Sequence, residues 1–235
     1  HDGTFLTPAQ NYLSTKKLWS SSFTAHGGSD IFYPALMWKI LGTESVGATR
    51  TFIVFLILLV KFFSVALSYQ LTKISNLNRN NKILLFVILT SILISMSHYN
   101  APINYSYFSY RDIYIILFLI LFIELFIHSK FRSLSVIFIC LIATASILLH
   151  IDTGIYINFI LISFCLYLFM VKKYYDILLI FFSLIICWTI AINLIGFSEF
   201  KVFLHNSKIM ILSIDLMHGL KYPVPFFSIG DDPNG

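Results

Sequence analysis

The sequence predicts an all-α fold: a polytopic bundle of about six transmembrane helices, with amphipathic helices beside the membrane on its outer face. Only 11% of the 235 residues are charged and 58% are hydrophobic, whereas a soluble domain usually has about a quarter charged residues. The apolar residues form long runs, and none alternates polar and apolar positions as a strand of an outer-membrane barrel does. We therefore expect most of the surface of this chain to contact lipid rather than water.

Six apolar runs are long enough, or nearly so, to cross a bilayer as helices. Their predicted bounds are 51–73, 83–98, 112–128, 134–150, 154–171 and 175–196. The second run is short for a span, and we expect it to tilt little or to extend into the "SHYNAP" that follows it.

The short connections between these runs predict the orientation. Lys and Arg concentrate in "KISNLNRNNK", "HSKFRS" and "KKYYD", and basic residues favour the cytoplasmic side of short loops. The remaining connections, with most of the acids and histidines, then face outward. The chain divides into a first extracytoplasmic loop of residues 1–50, a transmembrane region of residues 51–196, and an extracytoplasmic segment of residues 197–235.

Three segments outside the runs are half apolar and predict amphipathic helices at the membrane surface. They are "GTFLTPAQNYLS", "SDIFYPALMWKILG" and "EFKVFLHNSKIMILSIDLMHGL". "TAHGGSD" precedes the second of them and predicts a turn, after which Ser29 or Asp30 is expected to cap the helix.

Several classes of function have no support in the sequence. No phosphate-binding loop, dinucleotide fingerprint, HExxH or GxSxG motif is present, and the scattered basic residues do not predict nucleic-acid binding. Cys140, Cys165 and Cys187 lie in separate apolar runs and are expected to be buried and inert. Asp231 and Asp232 are the one weak hint of a metal. No cofactor is required by the sequence, and a need for a divalent metal stays open.

Asp2 is the first candidate for chemistry, because it opens the predicted outer loop. It has two interpretations: a solvated loop acid or helix cap, or a carboxylate at the membrane surface that takes a proton from an acceptor hydroxyl. His1 beside it either tunes the pKa of this carboxylate or is simply exposed.

Two further outer segments have candidate polar residues. Asp152 in "HIDTG" lies between two spans with almost no loop, where ionisable groups usually face the bundle interior or a wet cavity. The alternative is a cap on a helix starting at Gly154. His150 either pairs with Asp152 or reaches the interface. Arg111 in "YFSYRD" fits a phosphate contact, or an interfacial anchor paired with Asp112.

Lys61 and Glu124 lie in the middle of predicted spans, where a charge costs a few kcal/mol on insertion scales. They either pair, lose their charge or reach water. A proton-coupled transporter uses such residues, so they are the best support for a function other than an enzyme.

The outer segments resemble a known family. "HDG", a following "P-A" helix and "LWSSSFTAHGGSDIFYPALMWKILG" are similar to the first extracytoplasmic loop of GT-C type polytopic glycosyltransferases. These are relatives of protein O-mannosyltransferases and aminoarabinose lipid A transferases, and the likeness is greatest to an uncharacterised bacterial branch. "SYRD" and "HIDTGIY" at the starts of later spans also resemble that branch.

The resemblance implies an enzyme that takes a sugar from a polyprenyl-phosphate donor and passes it to a glycan, lipid or protein acceptor. It makes Asp2 the catalytic carboxylate, with Asp152 as a second acid in the cavity and Arg111 as the phosphate contact. Asp30 and His26 are expected near the acceptor by geometry rather than by motif. The predicted catalytic residues are thus Asp2 and Asp152, and the predicted substrate-binding residues are His1, His26, Asp30, Arg111, Asp112 and His150.

The sequence thus predicts a multi-pass inverting glycosyltransferase of a bacterial cytoplasmic membrane, with its active face extracytoplasmic. A typical member of the family is about twice this long, so we expect this chain to be a fragment whose first span would lie just before His1. The alternative function is a transporter or flippase in which Lys61, Glu124 and Asp152 carry protons or bind substrate. A non-catalytic scaffolding subunit is the third hypothesis.

Overall fold

The computed structural model describes residues 3–24, 27–96, 111–127 and 132–212, and within them the chain is all-α. The helices in chain order are α1 Gly3–Thr15, α2 Ser29–Leu41, α3 Val46–Ile74, α4 Arg79–Met96, α5 Asp112–Ile127, α6 Arg132–Leu149, α7 Ile151–Met170, α8 Tyr174–Ile195 and α9 Phe197–Leu212. The predicted all-α class is confirmed, and each of the six apolar runs coincides with one of the helices α3 to α8.

Four of the described helices, α3, α6, α7 and α8, are long and apolar enough to cross a bilayer. The chain is therefore a membrane protein. The other two apolar runs form shorter or more polar helices. α5 is strongly apolar but has only 16 residues, and α4 begins with the polar sequence "RNNK".

α5 lies between α3 on one side and α6 on the other. Ile113 and Ile116 of α5 pack into the core shared with α3, whereas Phe118 packs into the core shared with α6, α7 and α8. α5 is thus covered by other helices on two sides. A helix that is apolar around its whole circumference requires this.

The helices share two ends, which we name after a residue at each. The His150 end holds the starts of α5 and α7 and the end of α6. The Arg132 end holds the starts of α6 and α8, where Arg132 and Asp176 form an ion pair. α3 and α5 are parallel neighbours, because Gln70 near the end of α3 donates to Glu124 near the end of α5, at 3.3 Å.

α6 and α7 are joined by His150 alone. The two helices approach so closely here that a Cβ on Gly154 would lie 2.4 Å from both the Cα and the N of Ile147. Asn158 strengthens the contact, since its side-chain amide donates to the carbonyl oxygens of Ala143 at 2.9 Å and Gly154 at 2.8 Å. Only glycine therefore fits at position 154 without moving a helix.

α1, α2 and α9 pack at the His150 end. Glu199 of α9 holds the segment after α1, accepting from the backbone N–H of Trp19 at 2.8 Å and of Ser20 at 3.1 Å, and from the Ser20 hydroxyl. The Trp19 ring lies 4.7 Å from that of Phe203, and Asn206 donates to the Trp19 carbonyl oxygen at 3.3 Å. α9 thus fixes the segment that directly follows α1, at Trp19 and Ser20.

We expect Glu199→Gln to remove part of the acid sensitivity of this protein. Burial raises the pKa of the Glu199 carboxyl, but the hydrogen bonds from Ser20, Trp19 and Leu18 outweigh it, so the pKa lies below its ordinary value of 4.5. The folded state then gains stability from this group above pH 4.5 and loses it as the pH falls through the lowered pKa. The free energy of unfolding of the variant should be about 1 kcal/mol lower than that of wild type at neutral pH, after allowing for solvent screening.

Thermal unfolding in detergent from neutral to acid pH measures this effect. Glu44→Gln is the matched control, because Glu44 is exposed and accepts one long hydrogen bond, from Gln10 at 3.4 Å. An identical loss of stability with acid in wild type and Glu199→Gln would contradict the assignment.

Candidate functional site

Polar side chains from three separate stretches of sequence meet at the His150 end, inside a largely apolar bundle. We call this group the His150 cluster. It comprises Ser29, Asp30, Tyr33, Arg111, Tyr114, His150 and Asp152.

The start of α2 is fixed against the end of α6 by its backbone. The Gly28 N–H donates to the Leu148 carbonyl oxygen at 2.8 Å. Gly27 has a φ of +118°, and a Cβ there would lie 2.7 Å from the Leu149 carbonyl oxygen, so glycine alone allows this approach. The two glycines of "HGGSD" therefore bring Ser29 and Asp30 into the cluster.

His150 is fully buried at the centre of the cluster. Its Nδ1 lies 3.1 Å from the hydroxyl oxygen of Ser29, within hydrogen-bond distance. Two tyrosine rings flank it, that of Tyr114 at 5.5 Å and that of Tyr33 at 6.0 Å between centroids, and their hydroxyl oxygens are 2.6 Å apart. α2, α5 and the α6–α7 junction are thus tied together at one imidazole.

Arg111 and Asp152 form the charged part of the cluster. Nη1 of Arg111 donates to Oδ2 of Asp152 at 2.9 Å. The two side chains differ in exposure: that of Arg111 is 3% exposed and that of Asp152 is 48% exposed. The buried guanidinium of Arg111 therefore binds a carboxylate, that of Asp152, which is accessible from outside the bundle.

The structure places four of the predicted site residues at the His150 end, Asp30, Arg111, His150 and Asp152. Asp112, the half-buried first residue of α5, follows Arg111 directly. His1, Asp2 and His26 lie outside the described residues, as do Asp231 and Asp232.

Two predictions about helix caps are wrong. α7 begins at Ile151 rather than Gly154, so Asp152 lies in its first turn and pairs with Arg111 instead of capping the helix. The N-cap of α2 is Gly28, without a side-chain hydrogen bond, because Ser29 is already helical and faces His150. In both cases the side chain binds a residue from a distant part of the sequence instead of capping the start of its own helix.

Arg111 forms an ion pair with Asp152, and its positive charge also acts on the neighbouring Asp112. Cys140 and Cys187 are buried as expected, whereas Cys165 is only half buried.

Three members of the cluster were not predicted as site residues. Ser29 was expected to be a helix cap, and Tyr33 and Tyr114 were given no role in the site. The spacing in the sequence could have indicated the two tyrosines, because residues one helical turn apart lie on the same face. Tyr114 is one turn after Arg111, and Tyr33 is one turn after Ser29 and Asp30.

The arrangement combines a buried guanidinium, a half-exposed carboxylate, an imidazole and hydroxyl groups. A guanidinium has five N–H donors in a planar fork that matches phosphate oxygens, and the contact to Asp152 uses Nη1. The carboxylate can accept a proton or hold a sugar hydroxyl. Among the described residues, no group of three or more His, Cys, Asp or Glu side chains is arranged to hold a metal ion.

In comparisons with protein-family models, with curated proteins and with solved structures, nothing matches this chain. The resemblance to GT-C enzymes therefore stays a prediction.

Proposed function

We propose that this protein is a GT-C type membrane glycosyltransferase, which moves a sugar from a polyprenyl-phosphate donor to a glycan, lipid or protein acceptor. The observation that best supports the proposal is the Arg111–Asp152 pair, a buried cation beside a half-exposed carboxylate at one end of a membrane bundle. A lipid-linked donor needs this combination, because its tail stays in the bilayer while its phosphate and sugar must meet polar groups at the surface.

The proposed topology has six spans, with the His150 end on the extracytoplasmic side of a bacterial cytoplasmic membrane. In this arrangement α4 and α5 cross the membrane together with the four longer helices. The basic connections at the Arg132 end then lie in the cytoplasm, in keeping with the distribution of Lys and Arg in short loops.

The proposed reaction is a single displacement at the anomeric carbon. The acceptor oxygen forms a bond to that carbon as the bond from the carbon to the phosphate oxygen breaks, and the lipid phosphate leaves with the electron pair. Asp2 takes the acceptor proton, as the family resemblance implies. Arg111 offsets the charge that grows on the leaving phosphate, and Asp152 orients the guanidinium and contacts the sugar.

A second function has one supporting observation. Glu124 of α5 is half buried between apolar helices, where it accepts a hydrogen bond from Gln70, and Lys61 of the neighbouring α3 is also half buried. Ionisable side chains at such positions often belong to proton or substrate paths. A transporter or flippase is therefore the alternative.

We expect Asp2→Asn to abolish sugar transfer while the protein still folds. The assay uses membranes containing the protein, with polyprenyl-phosphate mannose and polyprenyl-phosphate aminoarabinose as labelled donors. Asp176→Asn is the matched control, because Asp176 is an acid at the Arg132 end. Unchanged transfer by Asp2→Asn would remove this residue from the catalytic role. No transfer by wild type, together with proton-coupled uptake that Glu124→Gln abolishes, would favour the transporter.

A further inference from the structure

At the Arg132 end, α3 and α4 form a cavity of about 550 Å³ that the proposed reaction does not use. Three cations line it: Lys73 from the last turn of α3, and Arg79 and Lys82 from the first turn of α4. The rest of the lining is the Tyr69 ring, the Thr72 side chain and the hydrocarbon side chains of Leu77, Ile83 and Phe86.

Among the described residues, no acid that lines the cavity balances these three charges. The lining contains no Asp or Glu, and the whole sequence from residue 45 to residue 111 contains none either. Glu124 of the neighbouring α5 binds Gln70 and is not part of the lining. Three like charges around one cavity repel each other, so an anion that enters is favoured.

The shape of the surroundings indicates what kind of anion fits. The apolar wall continues from Ile83 along a face of α4 where Leu84, Val87 and Ile88 are all exposed. A small inorganic anion would leave this wall uncovered. An amphiphile with a phosphate and acyl chains would satisfy the cations and the apolar face at once.

We propose that this cavity binds the phosphate headgroup of an anionic phospholipid from the leaflet at the Arg132 end. Lys73, Arg79 and Lys82 contact the phosphate, and the acyl chains follow Phe86 and the exposed face of α4. Basic pockets between transmembrane helices bind anionic headgroups in this way. The proposal is independent of the reaction at the His150 end, because the two sites lie at opposite ends of the bundle.

The purified full chain in detergent tests this by native mass spectrometry, with phosphatidylglycerol, phosphatidylcholine and inorganic phosphate as separate probes. We expect wild type to retain phosphatidylglycerol in preference to phosphatidylcholine. Lys82→Gln should weaken that retention about fivefold, and removal of all three charges should weaken it on the order of a hundredfold. The single variant keeps the test valid if the triple variant does not fold.

The Lys172→Gln, Lys173→Gln double variant is the matched control, because these exposed lysines lie at the same end but do not line the cavity. It should retain phosphatidylglycerol as wild type does. Equal retention of the two lipids, or equal losses in the control and the triple variant, would overturn the proposal. Displacement of the lipid by inorganic phosphate at equal concentration would overturn it too, since the site would then bind a free anion.

Discussion

Replacing Arg111 with glutamine should lower the proposed sugar transfer by about two orders of magnitude, the usual cost of losing one donor aimed at developing negative charge. The effect should be large because the guanidinium is buried beside Asp152, where water screens its charge poorly. Arg111→Lys should recover only part of the activity, since a lysine keeps the charge but loses the planar fork. Initial rates with a labelled polyprenyl-phosphate donor measure both variants.

Arg132→Gln is the matched control for this experiment. Arg132 is also an arginine in an ion pair with an aspartate near the start of a helix, but its partner is Asp176 at the opposite end. It should transfer sugar at nearly the wild-type rate. Similar losses in the two variants would mean that the effect comes from a weakened bundle, and unchanged transfer by Arg111→Gln would exclude this guanidinium from the proposed phosphate site.

Of the described glycines in α3 to α8, Gly154 should tolerate replacement by alanine least. The new Cβ would lie 2.4 Å from backbone atoms of Ile147, and backbone of a packed helix cannot rotate away as a side chain can. We expect the free energy of unfolding to fall by at least about 2 kcal/mol, in the upper part of the range for overpacked cores. Thermal unfolding in detergent measures it, and transfer should fall as well, because α6 and α7 hold His150 and Asp152.

Gly47→Ala provides the comparison. Gly47 lies in the first turn of α3, where the nearest atom to an added Cβ is the Ser45 hydroxyl oxygen at 3.9 Å. Alanine favours a helix over glycine, so this variant should be neutral or slightly stabilised. A Gly154→Ala protein as stable as Gly47→Ala would contradict the close approach of α6 and α7 at Gly154.

The sequence predicted the helices well because each apolar run is bounded by polar residues. The helix starts were predicted less well, since caps decide them. α3 begins at Val46, before its apolar run, because the Ser45 side chain accepts from the Ala48 N–H at 3.1 Å. α4 likewise begins at Arg79, and the Asn78 side chain accepts from the Asn81 N–H at 2.9 Å.

The sequence predicted part of the His150 cluster as a set of residues, but it did not predict the contacts between them. The distribution of loop charges placed Asp30, Arg111, His150 and Asp152 at one end, where the structure has them. The pairings needed the fold, because Arg111 and Asp152 are 41 residues apart and Ser29 and His150 are 121 apart. A local partner, such as Asp112 for Arg111, is the natural first expectation from sequence alone.

The junction of α6 and α7 at His150 has a consequence for how the lipid environment affects this protein. The two helices have 18 and 20 residues, about 27 and 30 Å of helix, which is close to the thickness of a bilayer core. Because a single residue joins them, any tilt that relieves the hydrophobic mismatch with a thinner bilayer would move the pair as a unit. Asp152 would tilt with it, so membrane thickness would set how far this carboxylate extends from the lipid.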